Sequence, residues 1–262
     1  AGARGGVPHH LIDIVEPDGE YTAAHYARDA ATVVRAVQGR GHLPIVVGGT
    51  GLYYRALTRG LFPGPGRDVE LRQRLGRIAA RRGAPFLHRL LARRDPASGA
   101  RIQPRDLKRI VRALEVLALT GRPLTAHFAD TASPIADMAV CPVALRLPAA
   151  LTAERVAARV DRQFAQGLLD EVRRLLRDGV PESARPFGGL VYRQVLELFR
   201  GVRDESATRA LIVQENRRYA RRQLIWFRKE PNLRWFDGPG ESLTTVNAVS
   251  TLVDGWLKEL GR

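Results

Sequence analysis

The stretch Leu43–Leu57, LPIVVGGTGLYYRAL, decides the fold. Leu43–Val47 is a short apolar run rich in β-branched residues, which predicts a strand buried on both faces. It breaks at Gly48-Gly49, and a helical pattern follows from Thr50 to Leu57. Strand, glycine turn and helix start are how α/β proteins offer backbone N–H groups to an anion. The first helical turn has unpaired donors and a partial positive charge, and glycines let a phosphate come close. Thr50 adds a hydroxyl at the same point. A plain β–α connection has the same pattern, so from these residues alone both readings stand.

Upstream, Tyr21–Gln38 reads as a helix with apolar positions at Ala24, Ala27, Ala31, Val34 and Val37. Val7–Val15, VPHHLIDIV, reads as a short strand, and Gly39–His42 turns the chain into Leu43. Alternating strands and helices predict an α/β fold with a mainly parallel sheet. The alternation stops at Phe62–Gly66, FPGPG, which continues neither element. Val69–Arg82 and Pro85–Arg94 are then two arginine-rich amphipathic helices, and Pro104–Thr120 is a third, closed by Gly121. After the loop Thr131–Pro134, Ala139–Leu147 is again a buried strand. Residues 62–134 therefore read as an all-helical insertion in an α/β core made of residues 1–61 and 135–262. Beyond it, Thr152 is expected to cap a long helix reaching Asp178, with Gly179 past its end. Leu190–Phe199, Glu205–Arg228 and Leu243–Leu260 read as helices, and Leu233–Phe236 as a strand returning to the sheet.

The net charge is +15, and the only lysines are Lys108, Lys229 and Lys258. Arginine suits phosphate because its planar fork donates two parallel hydrogen bonds. From Arg67 to Arg112 there are fourteen Lys/Arg against four Asp/Glu, an excess that favours a polyanionic partner. Nothing resembles a membrane span of about 18 apolar residues. The single cysteine, Cys141, reads as a core residue; it excludes an internal disulfide and a thiolate zinc site and suits a cytoplasmic protein. The histidines lack the spacing of metal ligands, so no protein-bound metal is expected from them, and no Gly-x-Ser-x-Gly elbow occurs. The chain starts at Ala1 and its only methionine is Met138, which leads us to expect a longer reading frame.

Three groups of cations carry the chemistry. Arg105, Lys108, Arg109 and Arg112 fall on one helical face, with Ile110, Val111, Leu114 and Leu117 opposite. In Arg217–Lys229, cations interleave with Tyr219, Trp226 and Phe227, a pattern in which guanidiniums hold phosphates and rings stack on unpaired bases. Trp226 and Phe227 are equally compatible with core positions. Arg155 and Arg159, one turn apart, could close on a pyrophosphate or pair with Glu154 and Asp161.

Six motifs occur in order: VPHHLIDIVEP (Val7–Pro17), PIVVGGTGLYYRAL (Pro44–Leu57), DLKRIVRALE (Asp106–Glu115), RVAARV…GLLDEVRRL (Arg155–Leu175), VYRQ (Val191–Gln194) and RRQLIWFR (Arg221–Arg228). Together they closely resemble the bacterial tRNA dimethylallyltransferases, prenyltransferases with a P-loop NTPase-like parallel sheet core and a helical insertion. The resemblance implies transfer of a dimethylallyl group from its diphosphate to N6 of the adenosine next to the anticodon, with Mg²⁺. The target base would be drawn out of its stack into a channel. It implies that Gly48, Gly49 and Gly51 line that channel with Thr50 at the reacting centre, and that Arg159 neutralises the diphosphate. It assigns tRNA contacts to Lys108, Arg109 and Arg112, to Tyr192, Arg193 and Gln194, and to Arg221, Arg222, Gln223 and Trp226. The partners it implies are the tRNA anticodon stem-loop and dimethylallyl diphosphate, with no membrane, and a monomer is expected. The chain departs from the family in two ways. Val191 stands where the family has glycine, and neither the Walker-type loop nor the general-base Asp after it occurs here. Both are expected upstream of Ala1, so this polypeptide by itself is expected to show little transferase activity. Two other readings remain at this stage: a non-catalytic RNA-binding protein of the same fold, and a small-molecule kinase relative, which the basic insertion disfavours.

Overall fold

The computed structural model describes residues 6–62 and 64–261. It divides into two compact units. The first comprises residues up to His25, Val33–Tyr54 and everything from Asp137; the second comprises Tyr26–Thr32 and Arg55–Ala136. Two helices have residues in both: α1 (Ala23–Gln38), capped by the Thr22 side chain accepting from the His25 amide, and α2 (Gly51–Thr58).

The second unit is helical throughout. The Asp68 carboxylate accepts from the Leu71 amide at 2.8 Å and starts α3 (Val69–Arg82). Gly83, at φ 80°, ends it and lets α4 (Ala84–Arg94) begin at once with Pro85 in its first turn. Asp95 then caps α5 (Pro96–Arg101), a short helix that the sequence pattern did not announce. The Asp106 cap starts α6 (Leu107–Thr120), and Gly121 in the left-handed region closes it. Leu75, Ala79, Leu87, Leu91, Ile102, Ile110, Ala113 and Leu114 form its core. Side chains three and four apart place most of these residues on the inner faces of α3, α4 and α6, leaving most of the arginines outside, with Arg72 and Arg112 half-buried.

The first unit contains a two-stranded parallel sheet, β1 (Val143–Arg146) and β2 (Arg234–Asp237), in the register Val143↔Arg234 to Arg146↔Asp237. A parallel pair needs a crossover rather than a hairpin. Here the connection holds α7 (Ala149–Ala165), α8 (Leu168–Arg177), α9 (Tyr192–Phe199) and α10 (Glu205–Phe227). Those helices bury Val160, Phe164, Leu168, Val172, Val195, Leu196 and Ile212, with Phe187 from a short 3-10 turn. The last helix is α11 (Leu243–Glu259).

Several expectations are corrected. Leu43–Val47 and Val7–Val15 are not strands, because among the described residues only β1 and β2 pair. With no ladder to join, the apolar run lies open to water, Ile45 at 77% and Val47 at 88% exposure. The expected long helix from Thr152 to Asp178 is two helices. Thr152 lies inside the first turn of α7, its hydroxyl donating to the Pro148 carbonyl at 3.0 Å. Gln166-Gly167 breaks the run, with Gly167 at φ 91°, and this lets both Phe164 and Leu168 reach the same core. Cys141 is half-buried, not a core residue.

Candidate functional site

The glycine loop between Val47 and α2 has two faces. On one side Gly48 and Thr50 are exposed, and a Cβ built on Gly48 would meet nothing within 4 Å. On the other side Gly49 and Gly51 are backed by the end of α10. The Gln223 amide Nε2 donates to the Gly49 carbonyl at 3.0 Å. A Cβ at Gly49 would sit 2.3 Å from that same nitrogen, and one at Gly51 would sit 2.2 Å from Trp226 Cδ2, inside the indole. Phe227 packs edge-on to Trp226 at 4.9 Å and to Tyr54 at 5.7 Å, continuing the contact along α2. The Thr50 carbonyl accepts from the Tyr53 and Tyr54 amides and so opens α2. Its hydroxyl has no partner among the described residues.

Arg159 and Arg155, one turn apart on α7, differ in state. Arg155 is held by Glu241, whose carboxyl is lowered by that guanidinium. Arg159 is exposed and has no ion-pair partner among the described residues, so its charge is available to an anion. Of the two acids expected to pair with Arg155 and Arg159, Asp161 instead faces Arg209 at 3.6 Å, while Glu154 adds to the field that raises the Arg155 pKa.

The tyrosine–arginine motif sits at the start of α9. Val191 has φ 76° and ψ −65°, and the Tyr192 amide donates to the Leu190 carbonyl at 3.1 Å, which makes a tight γ-turn around a β-branched residue. The Tyr192 hydroxyl donates to Glu171 at 2.8 Å, and its burial together with that carboxylate pushes its pKa up to about 12. Arg193 pairs with Glu215 at 2.8 Å. Gln194 is fully buried and donates to the same carboxylate, so in this conformation it cannot touch RNA. The sequence motif did not show this, because the buried side of α9 is set by its packing on α10.

On α10 the exposed cations are Arg217, Arg218, Arg221 and Arg222, with the Arg222 guanidinium 5.6 Å from the Tyr219 ring centre. Gln223 and Trp226 are instead half-buried against the glycine loop.

In the helical unit, Lys108 is exposed and unpaired among the described residues, and Arg109 pairs with Asp106 at 3.1 Å while remaining largely in water. Arg112 is committed to the interior. It donates to Glu115 at 2.7 Å and to the Pro65 carbonyl at 3.1 Å. Glu115 is wholly buried and also accepts from Arg72 at 2.6 and 2.8 Å and from the Asp68 amide at 3.0 Å. Burial pushes its carboxyl up, but the hydrogen bonds from Arg72, Arg112 and the Asp68 amide outweigh that and hold it at about 2. Sequence reasoning missed Glu115. Its one signal is an acid on the apolar side of a basic helix, three residues after Arg112.

A family model described as IPP transferase matches residues 1–230. The chain belongs to this family. A tRNA dimethylallyltransferase of Geobacter sulfurreducens is 41% identical over 247 residues, covering 92% of this chain and 78% of the relative. The solved tRNA isopentenylpyrophosphate transferase of Bacillus halodurans is 30% identical with a TM-score of 0.69, covering 99% of this chain and 81% of that one. A eukaryotic dimethylallyltransferase acting on tRNA superposes with a TM-score of 0.71 at 20% identity, covering 95% of this chain and 65% of that one, a likeness of fold. As a family member the chain has the mixed, mostly helical α/β fold, P-loop NTPase-like in kind, with its small parallel sheet. No helix among the described residues is long and apolar enough to cross a membrane.

Proposed function

We propose that this protein prenylates tRNA, transferring a dimethylallyl group from dimethylallyl diphosphate to N6 of the adenosine 3′-adjacent to the anticodon. The observation that carries the reading is the two-faced glycine loop. It turns Gly48 and the free Thr50 hydroxyl outward, while Arg159 of the same unit keeps an unpaired charge. In the reaction the N6 lone pair forms the bond to C1 of the dimethylallyl group and the C1–O bond breaks. The diphosphate then leaves with the electron pair and the amine gives up a proton to water. Thr50 is suited to hold the reacting groups by its hydroxyl, and Arg159 to offset the charge that grows on the leaving diphosphate. Gly48, Gly49 and Gly51 shape the wall beside them. Lys108, Arg109, Arg221 and Arg222 are exposed and suited to tRNA phosphates, and on α9 Arg193 is exposed for the same partner while Tyr192 beside it is half-buried.

Mg²⁺ is the expected companion of the diphosphate. Among the described residues no three or more His, Cys, Asp or Glu come together, so these residues do not form a cage for it, and the steps above use side chains alone. A monomer acting in the cytoplasm on the anticodon stem-loop completes the reading.

The test is expression in a host that lacks tRNA prenylation, of this chain alone and of this chain joined to the Walker-type loop segment of a relative, with mass spectrometry of the tRNA nucleosides. N6-dimethylallyl adenosine is the expected product of the joined protein, and little of it is expected from the chain alone. Arg159→Ala should lower its formation about 100-fold, and Thr50→Ala should lower it too, whereas Arg155→Ala, already spent on Glu241, should leave it near wild type. tRNA binding with no prenylated nucleoside would favour the non-catalytic RNA-binding reading.

A further inference from the structure

The end of α10 was expected to face RNA, yet two of its side chains occupy the space that two glycines leave open. Gln223 and Gly49 are 174 residues apart and Trp226 and Gly51 are 175 apart, yet they form the tightest approaches around the loop. Gly49 and Gly51 have ordinary backbone angles; neither is among the glycines with positive φ. Their lack of a side chain is therefore not required by the turn itself. It is required by what sits against them: an amide nitrogen where one Cβ would be, and the fused carbons of an indole where the other would be. The amide end of Gln223 could swing aside, but the indole is rigid and is held edge-on by Phe227.

We infer that Gln223 and Trp226 are positioning residues for the Thr50 loop, and that Gly49 and Gly51 are glycines to admit these two side chains rather than a phosphate. The hydrogen bond from Gln223 fixes the orientation of the Gly49 peptide, the one immediately before Thr50. The indole fixes the height at which α2 begins, immediately after it. Thr50 is thus clamped from both sides through backbone, while Gly48 and the Thr50 hydroxyl stay open to ligand. The inference rests on the prenyl-transfer reading only for its kinetic readout.

A size-swap series tests it. Gly51→Ala forces the indole away and should lower kcat about 100-fold, the effect of a misplacement of about 1 Å at a reacting centre. Gly51→Ala combined with Trp226→Leu removes the clash and should recover most of that loss. Gln223→Glu sets a carboxylate against the Gly49 carbonyl and should lower kcat about tenfold or more, with the isosteric Gln223→Met losing less. In all of these the KM and Kd for tRNA should stay within about twofold of wild type. Hydrogen exchange at the Gly49–Tyr54 amides should accelerate in Gln223→Glu and Gly51→Ala and slow again in the double variant. The inference is overturned if Gly51→Ala is neutral, or if Trp226→Leu fails to rescue it. It is equally overturned if the Gln223 variants weaken tRNA binding with kcat unchanged, as RNA contacts would. Should the protein joined to a relative's Walker-type segment transfer no prenyl group with its loop intact, the functional reading fails, and exchange at the loop amides alone decides the positioning.

Discussion

Val191 is a strained residue of the first unit. A β-branched side chain at φ 76°, ψ −65° carries a conformational cost of roughly 1–3 kcal/mol, because Cβ crowds the neighbouring carbonyls. Glycine would relieve that strain and lose about 0.5–1 kcal/mol to its greater freedom when unfolded. Val191→Gly also gives up the side chain's partly buried contact with the core of the first unit, about 1 kcal/mol, so the effects nearly offset and the denaturant midpoint should stay close to wild type with an unchanged m-value. The departure from the family glycine was legible in the sequence, but the γ-turn that gives it a cost was not. The same division holds for Arg155 and Arg159. Their spacing marked both as candidates, and only Glu241, distant in sequence, decides which one is free.

Among the elements, α3 and α6 are fastened by one buried carboxylate. Glu115 joins Arg72 on α3 to Arg112 on its own helix and reaches the amide of Asp68, the cap of α3. Removing it by Glu115→Ala leaves Arg72 and Arg112 without their acid. Both are about a third exposed and can turn to water, so the expected loss is roughly 3 kcal/mol, the low end for a broken buried pair. The pH dependence has a definite sign. The folded value, about 2, lies below the ordinary 4.5, so the stabilisation is complete above pH 4.5 and fades as pH falls toward 2. Acid titration of helical circular dichroism should show this loss in the wild-type protein and a flatter profile in Glu115→Gln. It also follows that Arg112→Ala should act first on stability, whereas Lys108→Ala should leave stability alone. Helix boundaries such as Val69–Arg82 were readable from periodicity and caps. The strands were not all readable, since Leu43–Val47 carries the pattern of a buried strand but has no partner among the described residues.

For the whole molecule, a charge of +15 leaves cations beyond those that pair internally. On α3, Arg74, Arg77 and Arg81 are exposed, three and four residues apart, with no acidic partner among the described residues. Replacing all three by alanine should flatten the slope of log K against log salt for tRNA binding by about 2. Stability should move by less than about 0.5 kcal/mol, since none of the three touches the core.

By itself the sequence determined the α/β class, the Gly121 stop of α6 and the family, because these depend on local periodicity, cap chemistry and ordered motifs. The tertiary structure alone decided which residues of those motifs face a ligand. LPIVVGGTGLYYRAL showed four adjacent residues, Gly48–Gly51, with equal claims to a phosphate. Side chains from α10, more than 170 residues on, fill the space beside Gly49 and Gly51 and leave Gly48 and Thr50 open. Packing between residues so far apart leaves no period or spacing in the chain; it exists only once the backbone has brought α10 against the loop.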